Sequence, residues 1–595
     1  MREEIQALQQ EMKQQHIDLY FVPPSDPHSS EFTHPYYRSI AFLSGFTGES
    51  AWMIISQEEA WLWTDGRFFL QAEQQLENTG IILMKTGEKG VPTVLGHLTA
   101  LIRKRRRMVL AYDGRVVSAR IAAVWDQQLA PMGLTIKKNV DLISSIWSDR
   151  PELTGTPLYP LPLSSSGIPS ARKRRKITEE LIETGADWLL LSDLTETAWF
   201  TNLRGSDIPC TPVFYSYLLL STDPDQLAQL FLLPGADIQD QPEESGELPE
   251  NRAFIRIRKY GEIEQVLRSL PPDQTIWMDA DTVSAAVYHA AADRHMIIDQ
   301  PTPAGTMKAV KNDSEIESVR KTMVYDGCAM VEFIHWLKTA VTKHTITESD
   351  AADYLNRRRL EKPGCFDLSF PTVSAYGSNA AVIHYMPSEE TDTVLRPEGF
   401  LLVDSGGQYI TGTTDITRTI ALGELTQEMK DVYTRVLKSH IALATAHLKP
   451  GDSTCRLDQT ARAPLKEAGL NFNHGISHGI GHVLSVHEGP NIIDPRKECP
   501  LVSGMIQSDE PGAYLEGKFG VRIENELLCR ADTAYNRYFE TLTLCPYERS
   551  AINTDLLTED ELNWVNAYHR RVEDVLLPHL HKEDRKFLQL MTAPL

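Results

Sequence analysis

The chain has 595 residues, 42% of them apolar, and a formal net charge of -22. That length is too great for one hydrophobic core and suggests roughly three to four domains. The acidic balance argues against general nucleic-acid binding, since a phosphate backbone would meet a repelling field, and no run of about 18 uninterrupted apolar residues marks a membrane span.

The N-terminal stretch MREEIQALQQEMKQQ is charged and helical in pattern, without the basic start and apolar block of a secretory signal. To about residue 150, helical segments then alternate with short apolar strands, IDLYFVPP, AWMIIS, AWLWTDGR, IILMK and MVLAYD, the rhythm of an α/β domain. The Pro- and Ser-rich passage RPELTGTPLYPLPLSSSGIPS reads as a linker. A second α/β stretch follows, with a helix around Lys176 to Thr184 and strands at DWLLLS, FYSYLLLS, LAQLFLL and TIWMDA. Its passage TAWFTNLRGSD faintly echoes SIAFLSGFTGE of the first, which a duplication or shared α/β grammar would explain. Basic clusters at Arg103 to Arg107 and Arg172 to Lys176 read as solvated helix faces or boundaries rather than a binding patch.

Beyond Met307 the pattern changes to long amphipathic helices, the first capped by Asp313 or Ser314. Helices alternating with antiparallel-looking strands indicate α+β packing, and the tail LTEDELNWVNAYHRRVEDVLLPHL reads as a packing or dimerisation helix. The expected domains are 1–155, 156–303 and 304–595. Seven cysteines, Cys210, Cys328, Cys365, Cys455, Cys499, Cys529 and Cys545, form no CxxC pair and no framework spacing, so reduced thiols in a cytoplasmic protein are expected.

The chemistry centres on Phe400 to Arg418, FLLVDSGGQYITGTTDITR, which reads as a hairpin with Asp404 and Asp415 at one end. Two acids in β-prone, largely uncharged surroundings repel unless a cation or shared proton intervenes. Further ligand types lie downstream: His478 in HGISHGIGH, Glu510 in SDEPGAY and Glu524 in GVRIENELL. Four carboxylates and one imidazole suit two divalent cations, Mn²⁺ above all, with Zn²⁺ or Co²⁺ as alternatives. Carboxylates can bridge and a neutral imidazole cannot. Asp415 and Glu524 are therefore the natural bridges, with Asp404 on one cation and His478 with Glu510 on the other. His474 and His478 stand four apart, yet Gly475, Gly479 and Gly481 disfavour a helix there.

The segments VDSGGQYITGTTDITRT, HGISHGIGHVLSVHEGP, SDEPGAY and FGVRIENELL closely resemble the aminopeptidase P branch of the creatinase/methionine aminopeptidase "pita-bread" enzymes. NLRGSDIPCTPVFYSY and WTDGRFFLQAEQQL extend the likeness over nearly the whole chain, to the three-domain form. The resemblance implies two creatinase N-terminal-like α/β domains and an α+β pita-bread catalytic domain, a homodimer, and dinuclear metal ligation by Asp404, Asp415, His478, Glu510 and Glu524. It also implies a substrate-contacting histidine at His384, in NAAVIHYMP, and two further active-site histidines at His474 and His487. Ser378 stands where the family pattern has proline, and His482 is an additional imidazole.

The implied activity is removal of the first residue from peptides with proline at the second position, by a hydroxide generated from water between the two cations. Glu510 is the expected proton shuttle, and Arg67 in WTDGR is a candidate for reaching the substrate. The rival readings are a prolidase acting on Xaa-Pro dipeptides, a creatinase-like hydrolase without metals, and a non-catalytic pita-bread peptide-binding module. The last two have no use for all five ligands.

Overall fold

Short β-branched and aromatic runs flanked by turns pair readily into sheets when helices cover their faces, and the first half of the chain does this twice. The computed structural model describes residues 1–105, 107–238, 254–388 and 391–595. It divides into two compact units, Met1–Pro162 with Pro169–Ala304, and Leu163–Ile168 with Gly305–Leu595.

The first unit holds two six-stranded sheets. Leu19–Val22, Ala51–Ser56, Ala60–Thr64, Ile82–Lys85, Val109–Ala111 and Thr135–Lys137 form one, in the order 4-3-2-1-5-6 counted along the chain. Trp188–Leu191, Ser216–Ser221, Ala228–Leu232, Ile255–Lys259, Thr275–Met278 and Met296–Asp299 form the other, in the same order by the same count. Both sheets also share the mixture of pairings: antiparallel for strands 1–2 and 2–3, parallel for 3–4, 1–5 and 5–6. This common topology favours duplication over shared grammar as the source of the faint echo between the two passages. The two repeats meet reciprocally: Ala119 N–H donates to Val283 O (2.9 Å) and Ala285 N–H to Val117 O (2.8 Å). Each contact lies beside a serine N-cap, Ser118 and Ser284, at equivalent places in the two repeats.

Of the basic clusters, Arg103 and Lys104 are exposed at the end of the Val94–Lys104 helix, as expected, Arg106 lies outside the described residues, and one member of the second cluster departs from the expectation. Lys173 is no solvated charge: it is buried and its ammonium donates to Trp199 O at 2.7 Å. The proline-rich linker is docked rather than loose. Leu163–Ser166 forms a helical turn within the second unit, where Ser165 Oγ donates to Ile410 O (2.7 Å) and Asn312 Nδ2 to Ser166 O (2.9 Å).

In the second unit the Asp313–Ala340 helix is capped by Asn312, not by Asp313 or Ser314. Asn312 accepts from Ser314 and Glu315 N–H while Glu315 reaches back to the Asn312 N–H, a reciprocal box. Val373–Tyr376, Phe400–Ser405 and Ile416–Ala421 make a three-stranded antiparallel sheet. Glu488–Ile492, His478–Gly479, Ile506–Asp509, Asn525–Ala531 and Arg537–Thr541 make a five-stranded one. One core takes in Tyr433, Val436 and Leu437 of the Gln427–Ala444 helix, Leu527 and Leu528 of the larger sheet, and Val565 and Val572 of the C-terminal Glu559–Leu576 helix. The tail is thus packing structure in this unit.

The predicted hairpin forms, with Asp404 opposite Thr417, but it bends at Gly406 into a second small sheet containing Gly407–Tyr409 and Gly412–Thr413. A Cβ at Gly406 would collide with Thr414 O and Ser369 Oγ. Gly406→Ala is therefore expected to destabilise the protein by about 1–3 kcal/mol, read as a lower urea midpoint with an unchanged slope.

Candidate metal centre

Side chains on a strand alternate between faces, so residues two apart share one. Asp404 pairs with Thr417, and Asp415 lies two residues before Thr417, which sets both acids on one face of the smaller sheet. The larger sheet repeats the device: Ser508 pairs with Glu526, so Glu510 and Glu524, each two residues further on, share their face. The two faces are stitched together. Asp415 N–H donates to Glu526 Oε1 (2.9 Å), Glu524 N–H to Thr417 O (3.1 Å), and Thr417 Oγ1 to Glu524 Oε2 (2.7 Å).

The result is a knot of acids around one imidazole. Asp404, Asp415 and Glu524 each offer an oxygen within 4.8 Å of the others, and His478, Glu510 and Glu524 do the same with their ligand atoms. His478 Nε2 lies 3.3 Å from Asp415 Oδ2 and 3.4 Å from Glu510 Oε1. Its other nitrogen, Nδ1, lies 3.0 Å from Gly479 O, which can only accept, so Nδ1 carries a proton and Nε2 is the nitrogen turned toward the acids. Asp404 Oδ1 is buried without a hydrogen-bond partner. An imidazole nitrogen and an orphaned carboxylate oxygen turned into a nest of carboxylates fit a cation.

Charge repulsion is visible in the acidities. Burial, then the charges of Asp415, Asp404 and Glu510, hold the Glu524 carboxyl well above its usual range. Burial also raises Glu510 and Asp404, although His478 relieves the first and Arg522 the second. Burial and His487 push the His478 imidazolium down, but Asp415 and Glu510 outweigh them and the net shift is upward.

Of the remaining predicted residues, His487 stacks edge-on against His478 with ring centroids 4.3 Å apart, and it can join Asp415 and His478 as a third ligand group. His474 bonds Tyr514 OH through Nε2 at 2.8 Å, and burial with the nearby Arg522 charge lowers its pKa to about 3. His384 is half-buried on the adjoining turn, near enough for its charge to act on His474. His482 is buried 3.0 Å from Ser165 Oγ. Arg67 lies in the other unit, in a two-pronged bond to Asp65.

Three groups escaped the sequence reading. Arg522 is buried and links the centre: Nη2 donates to Asp404 Oδ2 (2.6 Å), Nη1 to Tyr514 OH (2.8 Å), and Nε to Thr417 Oγ1 (3.2 Å). Glu526 supports Asp415 from behind, and the alternation of Glu524 and Glu526 in IENEL signals it. Glu488, next to His487, is buried between Lys311 (2.5 Å) and Lys308 (3.0 Å).

Comparison with known proteins decides the family. The Metallopeptidase family M24 model matches residues 317–531, the C-terminal region of peptidase_M24 matches 537–595, and Creatinase/Prolidase N-terminal domain models match 4–144 and 149–315. Aminopeptidase P2 of Arabidopsis thaliana is 35% identical over 97% of this chain and 86% of its own length. A probable Xaa-Pro aminopeptidase P of Laccaria bicolor is 35% identical over 100% of this chain and 93% of its own. The chain belongs to the aminopeptidase P family. Among solved structures, the X-prolyl aminopeptidase of Caenorhabditis elegans, described as a cytosolic enzyme with a di-nuclear active site, superposes with a TM-score of 0.90 at 32% identity, covering 97% of this chain and 95% of that one. An Xaa-Pro dipeptidase from Bacillus anthracis matches only 64% of this chain, at 24% identity and a TM-score of 0.51, a likeness of fold alone. The three-part layout of this chain is that of the aminopeptidase P relatives rather than of the shorter dipeptidase.

The Glu488 ion pairs give this family member a measurable acid limit. Lys308 and Lys311 outweigh burial and hold the Glu488 carboxyl below its ordinary 4.5. Their contribution is complete above that value and is lost as pH falls through the lowered one. Glu488→Gln should cost about 3–5 kcal/mol near neutral pH, because it strands two buried ammonium groups. The deficit in urea unfolding should be flat across neutral pH and shrink in acid, where the parent loses the same charge.

Proposed function

We propose that this chain is a metal-dependent Xaa-Pro aminopeptidase, releasing the first residue of peptides whose second residue is proline. The observation that carries the reading is the convergence of Asp415, Glu510 and Glu524 on His478, with Asp404 beside Asp415 and Glu524, in a chain whose full-length relatives are named for that activity. Asp404 would hold one cation, His478 with Glu510 the other, and Asp415 with Glu524 would bridge. The oxygen-rich set favours manganese, with zinc or cobalt as alternatives. The di-nuclear site described for the Caenorhabditis elegans enzyme supports a pair of cations. Bound cations of this kind acidify water and polarise a carbonyl.

The side chains divide the remaining work. Glu510, steadied by Ser508 Oγ at 3.1 Å, takes a proton from the attacking water and hands it to the departing nitrogen as the C–N bond breaks. Proline makes that delivery essential, because its nitrogen carries no hydrogen in the peptide. His384 or His487 donates to the oxygen on which charge develops. His474, kept neutral by burial, bonds Tyr514, which in turn accepts from Arg522, so it adds no charge to the centre. Asp415 receives the free amino end, which makes the enzyme an exopeptidase. A cytoplasmic, homodimeric protein completes the proposal. The cytosolic relative and seven cysteines without framework spacing support the location, while the dimer rests on the family resemblance and is measured by sedimentation.

Metal analysis of protein purified with manganese should find two equivalents, falling to at most one in Asp415→Ala. Glu510→Gln should lower kcat by about 10²–10⁴-fold. Arginine should be released from Arg-Pro-Pro faster than from Arg-Pro; predominant cleavage of the dipeptide would make the protein a prolidase instead.

A further inference from the structure

Glu348, the first residue of the Glu348–Leu360 helix, is fully buried. A carboxylate taken out of water needs donors in its place, and Glu348 draws its donors from a single loop. Tyr376 N–H donates to Oε1 (2.6 Å) and Thr393 N–H to Oε2 (2.9 Å). Asn379 Nδ2 spans both oxygens at 3.0 and 3.2 Å, and Tyr385 OH donates to Oε2 at 2.8 Å. The main chain of Glu348 joins in, its N–H donating to Thr393 O at 3.1 Å.

Those four loop residues bracket His384. A carboxylate has about four acceptor sites, and this one fills them from both ends of the loop, its turn, and the residue directly after His384. The other side of the loop is fixed as well. Arg522 Nη1 donates to Ile383 O at 3.5 Å, and Gly520 lets the neighbouring strand pass so close that a Cβ there would strike Ala380 O. The loop is gripped front and back, and the rear grip is Glu348.

We propose that Glu348 is a positioning residue for the hydrolytic reaction: by collecting Tyr376, Asn379, Tyr385 and Thr393 on one carboxylate, it fixes the orientation in which His384 meets the substrate. The proposal rests on the reading of His384 as a substrate-contacting group. Misplacement by about 1 Å can cost about 10²-fold in rate, so a loosened loop should be felt in kcat more than in KM.

The test is a double-mutant cycle on the manganese-loaded full chain, with Arg-Pro-Pro as substrate. Glu348→Gln keeps the volume but turns an amide against an N–H donor; it should lower kcat about 10- to 100-fold with metal content unchanged. His384→Ala should lower it about 10²–10³-fold, and the double variant should be no slower than His384→Ala alone. Tyr385→Phe removes one donor only and runs the same cycle if Glu348→Gln does not fold. Equal losses from the Glu348 or Tyr385 change in the parent and in the His384→Ala background overturn the proposal, as does parent activity in Glu348→Gln. Parent activity in His384→Ala would instead overturn the role given to His384, whatever the other variants do.

Discussion

Four carboxylates that repel one another stand within ligand distance, and hydrogen bonds between the two sheets hold them there. Their repulsion could be relieved by a small movement of either sheet, yet the ties between Asp415 and Glu526 and between Thr417 and Glu524 cross the gap between sheets and forbid it. The surrounding core of tightly packed helices and strands turns this local refusal into a property of the whole unit. Interior dielectric is low, so each unrelieved charge weighs more there than in water. A centre built this way is arranged in advance for cations.

Buried arginines carry the strain of that arrangement. Arg522 neutralises part of Asp404 and ties it to Tyr514 and Thr417. Arg418, equally buried, donates to Glu524 O, Asn525 Oδ1 and Cys545 O, fixing the backbone from which Glu524 projects. Planar guanidinium groups suit this use, because several donors in one rigid fork satisfy several acceptors at fixed angles. Neither buried cation need add net stability, since burial of charge is costly. What they supply is a single geometry.

Much of this was legible in the amino-acid order, for reasons that can be named. Apolar strands announce themselves by composition, and AWMIIS, AWLWT, WLLL and SYLLLS all form as read. The edge and near-edge strands Thr135–Lys137, Ile255–Lys259 and Met296–Asp299 were missed, because half-exposed strands carry charges and look like loops. The helix cap slipped by one or two residues, since Asn312, Asp313 and Ser314 are all good caps and only the backbone decides among them. At the centre the metal-type residues stand in recognisable local motifs. Arg522 and Glu488 share those motifs without declaring a role, and Glu348 stands outside them, because a buried charge is identified by its partner, and each partner lies far away in the chain.

The two N-terminal repeats touch through the same structural position on each, Ala119 and Ala285 each donating a main-chain N–H to the other repeat. Subunits of an isologous dimer meet in this manner. Here the partners are two segments of one polypeptide, so their association is intramolecular: it involves no loss of translational freedom and does not weaken on dilution.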